Sequence, residues 1–374
     1  MCHQTVTAML REYALFDVDG TVMLRTTHDI SQLISKDQLR SAGFTTDRFA
    51  LVTNSGTKTA HDVRESLRAG FGDDVASLHV LTARDDLEER ASQRRGLEAA
   101  FAVAGVLPRP LITLPLLRMD DAVRAVHENR AHRCTVYFFV DVASEVPVEQ
   151  LQAASLLASQ GAMLHFSAED MALPTFSAGH RIMVPGPGLL VTFFKQVLGK
   201  TCFDAQAQVS GKPKPQFVRK AIRLLGEHVN PNQVVVVGDN VETDIRGGCG
   251  VGAATLLVET GCYSPGMPFS VRPSAVSASL SVALEACQTT SESSLIGSYV
   301  MSRADTMVRT ALDVNVALES RVDNLFASVH SVLSRIPLRR LGLPRRTESC
   351  PASLDSLNSG PARRSCEDHR MCQN

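Results

Sequence analysis

Three short, uninterrupted apolar runs constrain this chain more than anything else in it. Tyr13-Ala14-Leu15-Phe16 runs into Asp17, Phe49-Ala50-Leu51-Val52 into Thr53-Asn54-Ser55, and Val234-Val235-Val236-Val237 into Gly238-Asp239. A strand with one wet face alternates apolar and polar residues. A run with no polar position reads instead as a strand buried on both faces, as in a parallel sheet covered by helices. Each run stops abruptly at small polar or acidic residues. Ligands of open α/β sheets bind beyond the carboxyl ends of the strands, so three polar tips point to one site.

Between the second and third tips, from about Arg84 to Pro185, lies a long insertion with its own pattern. Strands are expected over Thr135–Val140 and Ala162–Phe166, helices over Asp120–Arg130 and Val148–Leu157. After Asp239 a further strand is expected at Thr255–Val258 and a last helix near Val276–Cys287. Gln288–Leu295 is a Ser/Thr-rich linker. Leu312, Val316, Val322, Leu325, Phe326, Val329, Leu333 and Ile336 then recur at helical spacing. That amphipathic segment packs on the core, or pairs with a partner or a second copy to make a homodimer. Beyond Pro337, Ser, Pro, Gly and paired arginines give the composition of a disordered tail. The expected architecture is therefore α/β: a Rossmann-like parallel-sheet core with a smaller inserted α/β domain and a helical and disordered C-terminal tail. The divisions fall at 1–83 and 188–290 for the core, 84–187 for the insertion, 291–336 for linker and helix, and 337–374 for the tail.

The net charge of −1 offers no field that would recruit nucleic acid or an acidic membrane surface. Nine cysteines occur with no CxxC pair and no histidine cluster, which argues against a zinc site or a disulfide framework. No apolar run approaches the ~18 residues that cross a bilayer. The first strand begins at about residue 13, which leaves no room for a secretory signal, and a cytoplasmic protein is expected.

Asp17-Val18-Asp19-Gly20-Thr21 carries the sharpest chemical signal. Average composition produces D-x-D-G-T by chance in a chain of this length with a probability on the order of a few in a thousand. A strand-to-turn junction would also use Asp and Gly. The functional reading gives the two carboxylates separate tasks. Asp17 attacks phosphorus and forms an aspartyl-phosphate. Asp19 protonates the leaving oxygen and later deprotonates water. Gly20 turns the chain back without a side chain over the phosphate.

Four motifs in order resemble the haloacid dehalogenase superfamily, and within it the NagD-like branch of phosphoglycolate, pyridoxal phosphate and nitrophenyl phosphatases. The first is Asp17 to Thr21. The second is Leu51-Val52-Thr53-Asn54-Ser55, where Thr53, Asn54 and Ser55 would offer a hydroxyl and backbone N–H groups to phosphate at a helix start. The third is Ser210-Gly211-Lys212-Pro213-Lys214-Pro215; the resemblance implies that Lys212 neutralises the nucleophile and the transferring phosphoryl group, with Lys214 a surface residue. The fourth is Gly238-Asp239-Asn240-Val241-Glu242-Thr243-Asp244-Ile245, with Val258-Glu259-Thr260-Gly261 closing the series. The implied cofactor is Mg²⁺, held by Asp17, the Asp19 carbonyl and Asp239, with Asp244 holding a metal-bound water or Lys212. Glu242 has no implied role.

The insertion sits between motifs two and three, as caps of this branch do, and its exit Pro185-Gly186-Pro187-Gly188 matches the branch's P-G-x-G. Three features depart from it. Val22 to Gly43 lacks the usual P-G-A. Phe166-Ser167-Ala168-Glu169-Asp170 stands where relatives carry T-N-x-D, and the tail after 290 has no counterpart. The resemblance implies a Mg²⁺-dependent phosphatase acting on a small phosphate monoester such as phosphoglycolate, pyridoxal phosphate or nitrophenyl phosphate. A catalytically silent relative that binds partners is the competing class.

Overall fold

The computed structural model describes residues 12–25, 30–93, 99–108, 110–111, 114–177 and 180–288. The amphipathic segment and tail expected after residue 290 lie outside them. The three apolar runs become strands β1 (Tyr13–Asp17), β4 (Phe49–Thr53) and β12 (Val234–Gly238). Between the first two lies a hairpin of β2 (Met23–Arg25) and β3 (Ile30–Gln32). With β5 (His79–Thr82), β13 (Ala254–Val258) and β14 (Ala275–Ser277), the three runs form a six-stranded sheet ordered β14-β13-β12-β1-β4-β5. Every pairing in it is parallel.

Alternation within β1 shows why the run had to be apolar throughout. Ala14 and Phe16 join the helices Ala60–Phe71 and Leu280–Gln288 on one face, while Leu15 joins the helix Pro215–Arg223 on the other. Phe16 is fully buried with its ring 5.5 Å from Phe44 and 5.7 Å from Phe49. Truncating it to alanine would cost about 3–5 kcal/mol. The helix expected from Val276 starts at Leu280 instead. Val276 pairs with Leu257 as part of the edge strand β14, and Ser279 caps the helix by accepting from the Val282 N–H.

The insertion builds a second parallel sheet of β6 (Ala99–Ala104), β7 (Cys134–Phe139), β8 (Met163–Phe166) and β11 (Ala207–Val209), ordered β11-β8-β7-β6. The helices Met119–His127 and Val148–Ser159 lie where periodicity placed them. The division expected at residue 187 differs from the packing. The helices Gly188–Leu198 and Lys200–Gln206 bury Leu190, Phe194 and Phe203 against Phe138 and Phe166, and β11 pairs with β8. The second sheet's body therefore runs to Val209, because that face of the sheet needs the cover of those helices. β9 (Ala172–Ser177) and β10 (His180–Pro185) form a separate antiparallel hairpin. Among the described residues no helix is long and apolar enough to cross a membrane.

Candidate active site

Because β12, β1 and β4 are neighbours, their tips bring Asp239, Asp17 with Asp19, and Thr53-Asn54-Ser55 side by side. These residues line one pocket with Lys212, Asn240, Thr243 and Asp244. Asp17 receives the Lys212 ammonium on one carboxylate oxygen and the Thr21 hydroxyl, at 3.3 Å, on the other. Lys212, itself buried, also reaches Asp244 at 2.7 Å and the Val52 carbonyl at 3.2 Å. Carboxylate oxygens of Asp17, Asp239 and Asp244 all lie within 4.8 Å of one another.

Three buried carboxylates thus face one ammonium. Burial pushes Asp17 up, Lys212 pulls it back, and Asp244 and Asp239 push it up again; the net position is well above the usual carboxylate range. Burial and then Asp244 push Asp239 up to about 7. Burial alone would lower Lys212, yet Asp17 and Asp244 outweigh it and hold the ammonium charged. Such crowding fits a divalent cation between the carboxylates, which would favour their charged forms.

Gly20 (φ +93°) and Gly261 pack around Asp239, and a Cβ on either would collide with its carboxylate. The missing side chain of Gly20 makes room for the Asp239 carboxylate. The Cys262 N–H donates to Asp239 at 2.5 Å, and the Thr260 hydroxyl to the Gly20 carbonyl.

The Thr53 hydroxyl donates to Asp19 at 3.3 Å and accepts from the Ser55 N–H at 3.1 Å. No helix starts at this tip. The helix begins at Ala60, where Thr59 and Asp62 form its capping box. The Asn54 amide pairs with the backbone of Lys212, accepting from its N–H at 2.6 Å and donating to its carbonyl at 3.0 Å, and also donates to Asp170 at 2.7 Å. The Ser55 hydroxyl donates to Asp141 at 2.9 Å. The side chains of Asn54 and Ser55 are therefore engaged within the protein.

The insertion between β4 and β12 also supplies Asp141, Asp170, Leu173, Pro174 and Pro187 to the pocket, none of which the sequence motifs mark as a site residue. A signal for Asp141 was present: Tyr137-Phe138-Phe139-Val140 runs into it as Tyr13 to Phe16 runs into Asp17. Asp170 gave no such signal. Burial outweighs its bond from Asn54 and pushes it up to about 6. The Pro185 to Gly188 junction is a bonded turn, with Gly188 N–H on the Asp170 carbonyl at 2.8 Å and Gly186 N–H on that of Met171 at 3.0 Å. Lys214 pairs with Glu169 at 2.9 Å, and Glu242 with Arg246 at 2.5 Å, both towards the surface. The pocket leaves about 50 Å³, room for a few waters and well short of a ligand site.

The family described as HAD-hydrolase-like matches residues 209–283. An acid sugar phosphatase from Staphylococcus aureus is 27% identical over 247 residues, covering 66% of this chain and 86% of that protein. A 4-nitrophenylphosphatase from Thermotoga maritima superposes with a TM-score of 0.56 at 22% identity, over 75% of this chain and 99% of that one. A glycerol phosphate phosphatase from Mycobacterium tuberculosis, in complex with magnesium, superposes with a TM-score of 0.53 at 22% identity, over 74% of this chain and 77% of that one.

Proposed function

We propose that this chain, a hydrolase of the haloacid dehalogenase superfamily that acts on phosphate monoesters, is a Mg²⁺-dependent phosphatase for small esters whose leaving group is uncharged. The observation that carries the reading is the Asp17–Lys212 contact at the tip of β1, flanked by Asp19, Asp239 and Asp244. A carboxylate that shares a strand tip with a buried ammonium, and with a divalent cation to offset its neighbours, is a nucleophile that can attack in its charged form.

An oxygen of Asp17 attacks phosphorus, and the bond from phosphorus to the ester oxygen breaks as the new one forms. Asp19, oriented by Thr53, gives its proton to the leaving oxygen. It then takes a proton from the water whose oxygen displaces Asp17 and releases inorganic phosphate. Lys212 offsets negative charge on the phosphoryl oxygens throughout. Mg²⁺ held by Asp17, the Asp19 carbonyl and Asp239 would supply further neutralisation, with Asp244 holding Lys212 in place.

Away from the phosphoryl end the pocket is lined by Asp141, Asp170, Leu173, Pro174 and Pro187, and among the described residues Lys212 is the only cationic side chain along it. A carboxylate-bearing ester such as phosphoglycolate would meet carboxylates there with no cation to pair with. The relatives' names, sugar, glycerol and nitrophenyl phosphate, point to the same uncharged groups. Closure of the insertion over a bound ester would exclude water from the reacting groups. The test is kcat/KM with Mg²⁺ for glycerol phosphate, a hexose phosphate, 4-nitrophenyl phosphate and phosphoglycolate. The uncharged groups should lead by about tenfold or more, since an unpaired charge costs at least that much. Preference for phosphoglycolate would overturn the leaving-group assignment, and no turnover of any ester would overturn the phosphatase reading.

A further inference from the structure

The loop that leaves Thr53 is gripped by the inserted domain. Asp141, just past the end of β7 and 6% exposed, receives three hydrogen bonds from one stretch of chain: from the Ser55 hydroxyl at 2.9 Å, the Gly56 N–H at 2.6 Å and the Thr57 hydroxyl. From the other flank the buried Arg84 donates its guanidinium to the Thr57 carbonyl at 2.6 Å and its own N–H to the Ser55 carbonyl at 2.9 Å. Gly56 leaves no slack, because a Cβ on it would collide with the Ser167 hydroxyl and crowd the Val140 N–H. At the head of the same loop, Thr53 carries the hydroxyl that donates to Asp19.

We infer that Asp141 is a positioning residue for proton transfer: by fixing Ser55, Gly56 and Thr57 it holds Thr53 where its hydroxyl orients Asp19. The inference rests on Asp19 being the proton donor and acceptor of the proposed phosphatase. A carboxylate that accepts from one N–H and two hydroxyls of consecutive residues ties those donors to one place. Oδ2 of Asp141 accepts from the two hydroxyls and Oδ1 from the Gly56 N–H, so its carboxylate is committed to the loop and acts on Asp19 through Thr53. A domain inserted for substrate cover thereby also sets the geometry of the acid beneath it.

The leaving group provides the readout. Nitrophenolate departs with little help from an acid, whereas an alkoxide needs the proton, and a positioned acid is worth about 10²–10⁴-fold. Asp141→Ala should therefore lower kcat/KM on the order of a hundredfold for an alkyl phosphate such as glycerol phosphate, and by about tenfold or less for 4-nitrophenyl phosphate. Asp141→Asn, which keeps the shape and one acceptor oxygen, should fall between wild type and Asp141→Ala, and it serves if the alanine variant fails to fold. Ser55→Ala with Thr57→Val removes the same contacts from the other side, so combining it with Asp141→Ala should add little further loss. Equal losses on the two esters, no loss on either, or fully additive losses would each overturn the inference. Turnover of both esters by the unaltered protein is the separate check on the phosphatase reading.

Discussion

The two parallel sheets of this molecule use one local device in opposite ways. In each, an apolar run ends in an aspartate: Asp17 closing β1 and Asp239 after β12 in the larger sheet, Asp141 after β7 in the smaller. The larger sheet turns its tips towards one another, so its carboxylates crowd each other and share one ammonium. The smaller sheet turns its tip towards a loop of hydrogen-bond donors, so Asp141 is matched by three partners. Burial alone does not make an aspartate reactive. What decides is whether the groups it faces are like charges or donors.

That contrast breaks most readily at the nucleophile. Asp17→Asn should lower turnover of 4-nitrophenyl phosphate by at least about a thousandfold, since a carboxamide cannot attack phosphorus. Its melting temperature should hold or rise, because one of the repelling carboxylates is gone. Activity near that of the unaltered protein would return Asp17 to the structural class. Chelation should be nearly as severe, and added Mg²⁺ should restore the rate; full activity in excess EDTA would detach the carboxylate cluster from any cation.

Stability sharpens the comparison by sign. In EDTA, Asp239→Asn should leave the unfolding midpoint unchanged or raised, whereas Asp141→Asn should lower stability by about 1–3 kcal/mol, the penalty for disturbing satisfied buried donors. Shifts of the same sign in denaturant melts would contradict the division drawn here.

The smallest effect is the pH dependence of the metal-free protein. Asp239 is held up to about 7, against 3.8 for the unperturbed group. The folded state therefore binds more protons than the unfolded one between those values. Its contribution to stability is present below about 4 and is lost as pH rises to about 7. Melting in EDTA should occur at a higher temperature at pH 5 than at pH 8, and saturating Mg²⁺ should narrow or reverse that gap by favouring the charged carboxylates. A metal-free protein that gains stability over this range would show that the cluster is relaxed rather than crowded.

Local sequence alone determined the three strands whose tips carry the site. An unbroken apolar run requires a strand covered on both faces, and β1, β4 and β12 formed where the runs stood. It also placed Asp17, Asp19, Lys212, Asp239 and Asp244 close enough to the turns that follow to line one pocket. Tertiary structure decided what those tips touch. Ser55 meets Asp141 and Asn54 meets Asp170 and Lys212 only because the insertion folds back over β4, and no local pattern encodes a hydrogen-bond partner some ninety to a hundred and sixty residues away. The extent of the second sheet was decided in the same way: β11 is three residues long and carries little signal, and it belongs to that sheet because β8 offers it an open edge. Periodicity reports how much of a segment is buried. The choice among possible neighbours depends on the path of the whole chain, and here that path separates the aspartates that crowd from the one that clasps.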